Sequence, residues 1–187
     1  YAIVREYDCC ISYIANGMVH NSRAQVERFA PYTTAPIRRL FERTHIIEDD
    51  LDAFVAHYDG LVEKFYIPFL DKAERDAAFA RVSTLPYYIT DAGFNDFEIM
   101  PAGVDKGVGL VQLAALLGLT AAEVAAVGDS GNDLPMLKYA GLSVAMGNAS
   151  DAVRAAADIV VADNEHGGMA EILNRIAEGE FDEWASK

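Results

Sequence analysis

The sequence predicts an α/β protein: a parallel sheet core covered by helices, with a small α+β module inserted into it. Three observations carry this. From Lys106 onward, short apolar strands alternate strictly with helix-like stretches, the rhythm of a parallel sheet covered on both faces. Between about Ser22 and about Met100 the texture changes to helices, strand, helix, strand, strand, the order of a sheet covered on one side. Hydrophobic residues make up 52% of the 187 positions, ample for a packed core.

The elements follow in order. "YAIVREY" reads as the end of a helix. "CCISYIANG" is apolar, β-branched and aromatic, and stops at Asn16-Gly17, so it reads as a buried strand ending in a tight turn, with "MVHN" a short strand after it. "APIRRLFERTHI" and "EDDLDAFVAHYDGLV" are helix-like; in the second, Leu51, Phe54, Val55, Tyr58, Leu61 and Val62 share one face. "EKFYIPFL" is a strand that Pro68 pushes toward a sheet edge or a bend. "KAERDAAFARVSTL" is a helix, and "YYITDAG" and "FNDFEIMP" are two strands joined by a turn around Gly93. "KGVGLVQLAALLGL" is a helix that stops near Gly118. Then come strand "AEVAAVGD", helix "DLPMLKYAG", strand "LSVAMGN", helix "DAVRAAA", strand "DIVVAD" and helix "GGMAEILNRIAE". "EGEFDEWASK" is expected to be a loosely docked end.

The net charge of −14 makes nucleic acid and anionic membranes poor partners, since phosphates call for Lys and Arg. No stretch reaches the roughly 18 apolar residues of a membrane span, and no signal peptide is visible, so a cytoplasmic location is expected. Cys9 and Cys10 are adjacent and would point to opposite faces of a strand, so they are expected to be reduced, buried thiols. None of His20, His45, His57 and His166 has a spacing that suggests zinc.

The chemistry concentrates in "VGDSGNDLPML", Val127 to Leu137. Asp129 ends a buried strand, where ligands of open α/β sheets gather. Asp133 lies at the start of the next helix and could be a helix N-cap, but folding does not require Asp129. Two oxygen donors across a tight turn suit Mg²⁺. Upstream, "GVDKG" places Lys106 at a helix start, against the helix dipole and beside a glycine, which suggests an anion-binding task.

With those residues in view, the chain resembles the haloacid dehalogenase superfamily of phosphohydrolases, in the Cof-type sugar-phosphatase-like branch. "KGVGLVQLAALLGL", "AVGDSGNDLPMLKYAG", "VAMGNA" and "AAADIVVADNEHGGMAEIL" carry the likeness, with "YIANGMV" and "FEIMPAGVDKG" in register. The resemblance implies a Rossmannoid parallel core formed by residues 1–21 and 101–187 and an inserted cap at 22–100. It implies a Mg²⁺-dependent phosphatase for a small phosphorylated metabolite such as a sugar phosphate, working through an aspartyl-phosphate. Lys106 would steady phosphoryl charge, Asp129 would serve catalysis and hold Mg²⁺, and Asp133 would hold it directly or through water. Asn132, Asn16 and Asn148 would line the substrate.

The same resemblance leads one to expect a nucleophile motif of the type Asp-x-Asp-Gly-Thr and a Ser or Thr on a second strand, and neither is found. Asp50-Leu51-Asp52 has the spacing but not the context, and Asp49 or Asp50 is read as an N-cap instead. The chain opens on Tyr1, without Met, so a further N-terminal segment is expected, in the same polypeptide or as a separate piece. Without it the Asn16 and Asp129 strands would have no neighbour to join them, and the chain alone would be inactive. The competing readings are a metal- or phosphate-binding subunit without turnover, and a phosphomutase.

Overall fold

The computed structural model describes residues 1–59, 62–91 and 95–183. The chain forms two compact units, Tyr1–Gly103 and Val104–Lys187.

The first unit is built on a six-stranded sheet. Its strands are β1 (Ser12–Ala15), β2 (Met18–Ser22), β3 (His45–Glu48), β4 (Val62–Pro68), β5 (Tyr88–Asp91) and β6 (Asp96–Met100), in the order β3-β2-β1-β4-β6-β5. All neighbours are antiparallel except β2 and β3. Its helices are α1 (Arg23–Arg28), α2 (Ala35–Thr44), α3 (Leu51–His57) and α4 (Lys72–Val82). β1 and β2 form a hairpin over Asn16-Gly17, both at positive φ (52° and 70°), as a tight two-residue turn requires. Strand alternation sends Cys9 and Ile11 into one apolar cluster with Ile67, Phe69 and Phe97. Cys10 and Ile14 enter another with Val19, Phe41 and Tyr66. Both thiols are free and buried, and burial pushes Cys9 up to about 12 and Cys10 up to about 11.

The strands within residues 12–22 hydrogen-bond into the sheet of the middle segment, and the compact units divide after Gly103. The reason is an edge: β1 has four buried residues, and β4 supplies it a second partner. The Asn16 strand therefore has neighbours on both sides. Pro68 does not make β4 an edge strand; it is the last residue of a central one. The helix expected to run on through Ile46 stops at Thr44, and β-branched Ile46 and Ile47 pair with β2 instead. The next helix ends at His57 and Val62 already belongs to β4, while Leu61 and the turn at Gly93 lie outside the described residues. Asp50 is the N-cap of α3, accepting from the Ala53 N–H at 2.9 Å, which confirms its structural reading.

The second unit keeps the alternating rhythm. Parallel strands β7 (Ala125–Gly128), β8 (Leu142–Ala145) and β9 (Ile159–Val160) lie in that order, interleaved with α5 (Lys106–Leu117), α6 (Leu134–Tyr139), α7 (Asp151–Ala156) and α8 (Gly168–Ala177). Ala126 and Ala145 pack with Leu137 and Val153 on one face; Leu142 and Val144 pack with Ile172 on the other. Asp105 caps α5 by accepting from the Val108 N–H at 2.8 Å, and Gly118 ends it in the left-handed region. β7 is an edge strand among the described residues. α5 leaves Leu113, Leu116 and Leu117 exposed along one side, although an apolar helix face calls for a partner. Among the described residues no helix is long and apolar enough to cross a membrane.

Candidate functional site

The second unit brings Lys106, Asp129, Asn132, Asp133 and Asn148 together at the carboxyl end of β7. Gly128 ends the strand, and Ser130 opens a 3₁₀ turn, Gly131–Asp133, that runs into α6. The turn is a reciprocal cap: the Ser130 side chain faces the Asp133 N–H while the Asp133 carboxylate takes the Ser130 N–H.

Asp133 is the organiser of this loop. It is 3% exposed, and its Oδ2 accepts from the main-chain N–H of Asp129 at 2.9 Å and of Ser130 at 3.0 Å. Its Oδ1 is paired with the Lys106 ammonium. Burial alone would raise its pKa. The Lys106 hydrogen bond and the two N–H donors outweigh that and hold the carboxyl below the usual carboxylate range. The N-cap reading and the functional reading of Asp133 thus describe one residue with two oxygens and two tasks.

Lys106 sits at the first position of α5, where the dipole disfavours a cation by about 0.3–1 kcal/mol. A charge-assisted hydrogen bond gives roughly 1.5–3 kcal/mol, so the pairing with Asp133 wins even after discounting for a half-exposed lysine. Gly107 makes the approach possible: a Cβ there would lie 2.8 Å from Pro135, at the start of α6. Lys106 Nζ also reaches Asn132 Oδ1 at 3.3 Å, and the Ser130 hydroxyl donates to the same oxygen at 2.6 Å. With donors on its oxygen, the Asn132 NH₂ group faces away from both and has no partner among the described residues.

Asp129 is exposed. Its Oδ2 accepts from Asn148 Nδ2 at 3.0 Å, while its Oδ1 carries no hydrogen bond among the described residues. Asn148, expected at the substrate, has its amide engaged at both ends, because its Oδ1 accepts from the Asn164 N–H at 3.1 Å. Asn16 belongs to the first unit, at the β1–β2 turn, where its Nδ2 donates to the Tyr58 hydroxyl at 3.0 Å.

The donor set matches the chemistry of Mg²⁺. One exposed carboxylate oxygen stands open, and a second carboxylate lies beside it, saturated by N–H and ammonium donors. Mg²⁺ takes oxygen ligands, keeps several waters and needs only one or two carboxylates from a protein, so the residues fit it.

Sequence reading missed Ser130, Gly128 and Asn164. Ser130 had a signal, Ser-x-x-Asp directly before a helix. Gly128 shows its role only in three dimensions, because a Cβ there would fall 2.5 Å from the Asp133 Cβ. Asn164 acts through its main chain, which no residue type announces.

A family model described as haloacid dehalogenase-like hydrolase matches residues 1–173. A 5-amino-6-(5-phospho-D-ribitylamino)uracil phosphatase of Bacillus subtilis (strain 168) is 40% identical over 85 residues, which is 46% of this chain and 34% of that protein. A phosphoglycolate phosphatase of Methanothrix thermoacetophila is 36% identical over 134 residues, covering 64% of this chain and 60% of its own. A haloacid dehalogenase-like hydrolase from Bacteroides thetaiotaomicron superposes with a TM-score of 0.72 at 27% identity, over 94% of this chain and 64% of that one. The chain spans between a third and two thirds of the length of these three relatives.

Proposed function

Since the chain belongs to the haloacid dehalogenase-like hydrolases, we propose that the protein is a Mg²⁺-dependent phosphomonoesterase acting on a small phosphorylated metabolite such as a sugar phosphate. The observation that carries this reading is the pairing of half-exposed Lys106 with buried Asp133 beside the open oxygen of Asp129. It offers a fixed cation for a phosphoryl group and a free carboxylate oxygen for a metal.

The chain's own residues divide the work. Lys106, tethered to Asp133 and Asn132, neutralises charge on the transferring phosphoryl group. The outward NH₂ of Asn132 donates to a phosphoryl oxygen. Asp129, with Oδ1 open, would hold Mg²⁺, and Asp133 would support it through the loop or through water. Bound there, Mg²⁺ supplies Lewis-acid stabilisation of phosphoryl oxygens. Asp133, ionised and buried, keeps the Lys106 ammonium aimed.

The sequence holds no Asp-x-Asp-Gly-Thr stretch. We assign the nucleophile to a further segment that pairs with the open edge of β7 and covers the apolar face of α5, as both surfaces call for. Residues 22–100 are assigned the part of the inserted cap. Free thiols at Cys9 and Cys10 support a reducing compartment, the cytoplasm.

The test is phosphate release from a panel of sugar phosphates by the protein that carries this chain, with and without Mg²⁺. Mg²⁺-dependent release that falls about 10²-fold or more in Asp129→Asn supports the reading. Release that is indifferent to both the metal and Asp129 overturns it.

A further inference from the structure

Asn148 bridges two loops, and what lies on its far side decides how it faces. The main-chain N–H of Asn164 donates to Asn148 Oδ1 at 3.1 Å. An N–H can only face an acceptor, so the oxygen end of the amide is turned to Asn164 and the NH₂ end is left for Asp129 Oδ2, at 3.0 Å. The reversed amide would set donor against donor at Asn164 and acceptor against acceptor at Asp129.

The loop that supplies this N–H is itself fixed. Asp163 Oδ1 accepts from the main-chain N–H of Glu165 at 3.0 Å and of His166 at 2.8 Å, and meets His166 Nδ1 at 2.6 Å. Gly147 lets the two loops touch, since a Cβ there would lie 2.8 Å from the Asp163 nitrogen. On the near side, the Ser150 N–H donates to the Asp129 carbonyl at 3.2 Å, so main chain and side chain of Asp129 are both tied to the 148–150 segment.

We propose that Asn148 is a positioning residue for Asp129: oriented by the Asn164 main-chain N–H, it occupies Asp129 Oδ2 and so presents Oδ1 alone to the divalent cation. This rests on the reading of Asp129 as a metal ligand. A group that hydrogen-bonds a metal ligand typically changes metal affinity by about 10–100-fold when removed.

The experiment titrates the protein carrying this chain with Mn²⁺ alone, followed by the water-proton relaxation of bound Mn²⁺, and records the thermal midpoint of each metal-free variant. Asn148→Ala is expected to weaken Mn²⁺ binding about tenfold or more while the metal-free midpoint stays near the parent's. Asn148→Ser, whose side chain is too short to span both partners, is expected to lose as much and serves if the alanine variant folds poorly. Asn164→Ala keeps the main-chain donor and is expected to bind like the parent. Binding within twofold of the parent in both Asn148 variants overturns the inference, as does a loss in Asn164→Ala equal to that in Asn148→Ala. A parent that binds no Mn²⁺, or an Asp129→Ala chain that binds as the parent does, overturns the reading of Asp129 and this inference with it.

Discussion

Gly128→Ala inserts one methyl group at the most constrained point of the site. A Cβ at position 128 would lie 2.5 Å from Asp133 Cβ, 2.8 Å from its Cγ and 2.9 Å from its Oδ2, all closer than real Cβ contacts come. Asp133 has nowhere to retreat. It is 3% exposed and is held by Lys106 on one oxygen and by two N–H donors on the other. Overpacking of this kind costs about 1–3 kcal/mol, and each hydrogen bond to a charged group lost in the relaxation adds roughly 1.5–3 kcal/mol. One such loss puts the total at about 2.5–6 kcal/mol. With a urea dependence of about 1–3 kcal/mol per molar, the unfolding midpoint should fall by at least about 0.8 M. The assay is urea unfolding followed by far-ultraviolet circular dichroism. Gly109→Ala is the matched control: its Cβ would meet nothing within 4 Å, and it lies inside α5. Alanine there should stabilise by about 0.5–1 kcal/mol. The same chemical change is therefore expected to have opposite signs at two positions. A Gly128→Ala midpoint within about 0.3 M of the parent would refute the close packing of strand end against carboxylate.

Three further outcomes follow from the structure. In the metal-free chain, Asp133 has a folded pKa below its unfolded value, so its stabilisation is complete above about pH 4 and is lost as pH falls through the lower folded value. Asp133→Asn should then cost roughly 1–3 kcal/mol at pH 7 and progressively less in acid, as read by unfolding curves at several pH values. Cys9 and Cys10, with thiols raised to about 12 and about 11 by burial, should resist Ellman's reagent at pH 8 in the folded chain. Both should react once urea unfolds it, and fast labelling of either thiol in the native chain would contradict their packing. Asp105→Ala removes the cap of α5 and should cost about 0.5–2 kcal/mol, with Lys106 loosened as well. Circular dichroism reads the first effect and metal-free thermal unfolding the second.

Local signals in the second half of the chain were legible because they are short-range. Lys106 at the start of α5, Gly118 near its end and the apolar runs of β7 and β8 each declare an element within a few residues. The grouping of Lys106 with Asp129 and Asp133 could also be read, from a strand end and a helix start whose places the alternation decides. The first half was harder because its sheet is joined over long sequence distances. Nothing near Ser12 or Tyr13 announces that they pair with Tyr66 and Phe65. Ile46 ended a helix-like run until parallel pairing with β2, Ile46 opposite His20 and Ile47 opposite Asn21, drew both into the sheet. The role of Asn148 was hidden for a related reason. Its donor and acceptor ends answer to Asp129 and Asn164, both of them 16 or more residues away.

The measurement that tests the account most directly is Mg²⁺-dependent release of inorganic phosphate from small phosphomonoesters, by the protein carrying this chain and by its Lys106→Ala variant. Lys106 is the fixed cation of the site, paired with a buried carboxylate that two main-chain N–H donors hold in place. The account predicts release that requires Mg²⁺ and falls about 10²-fold or more without the Lys106 ammonium. Release at an undiminished rate in Lys106→Ala, or none from any phosphomonoester by the parent, would contradict it.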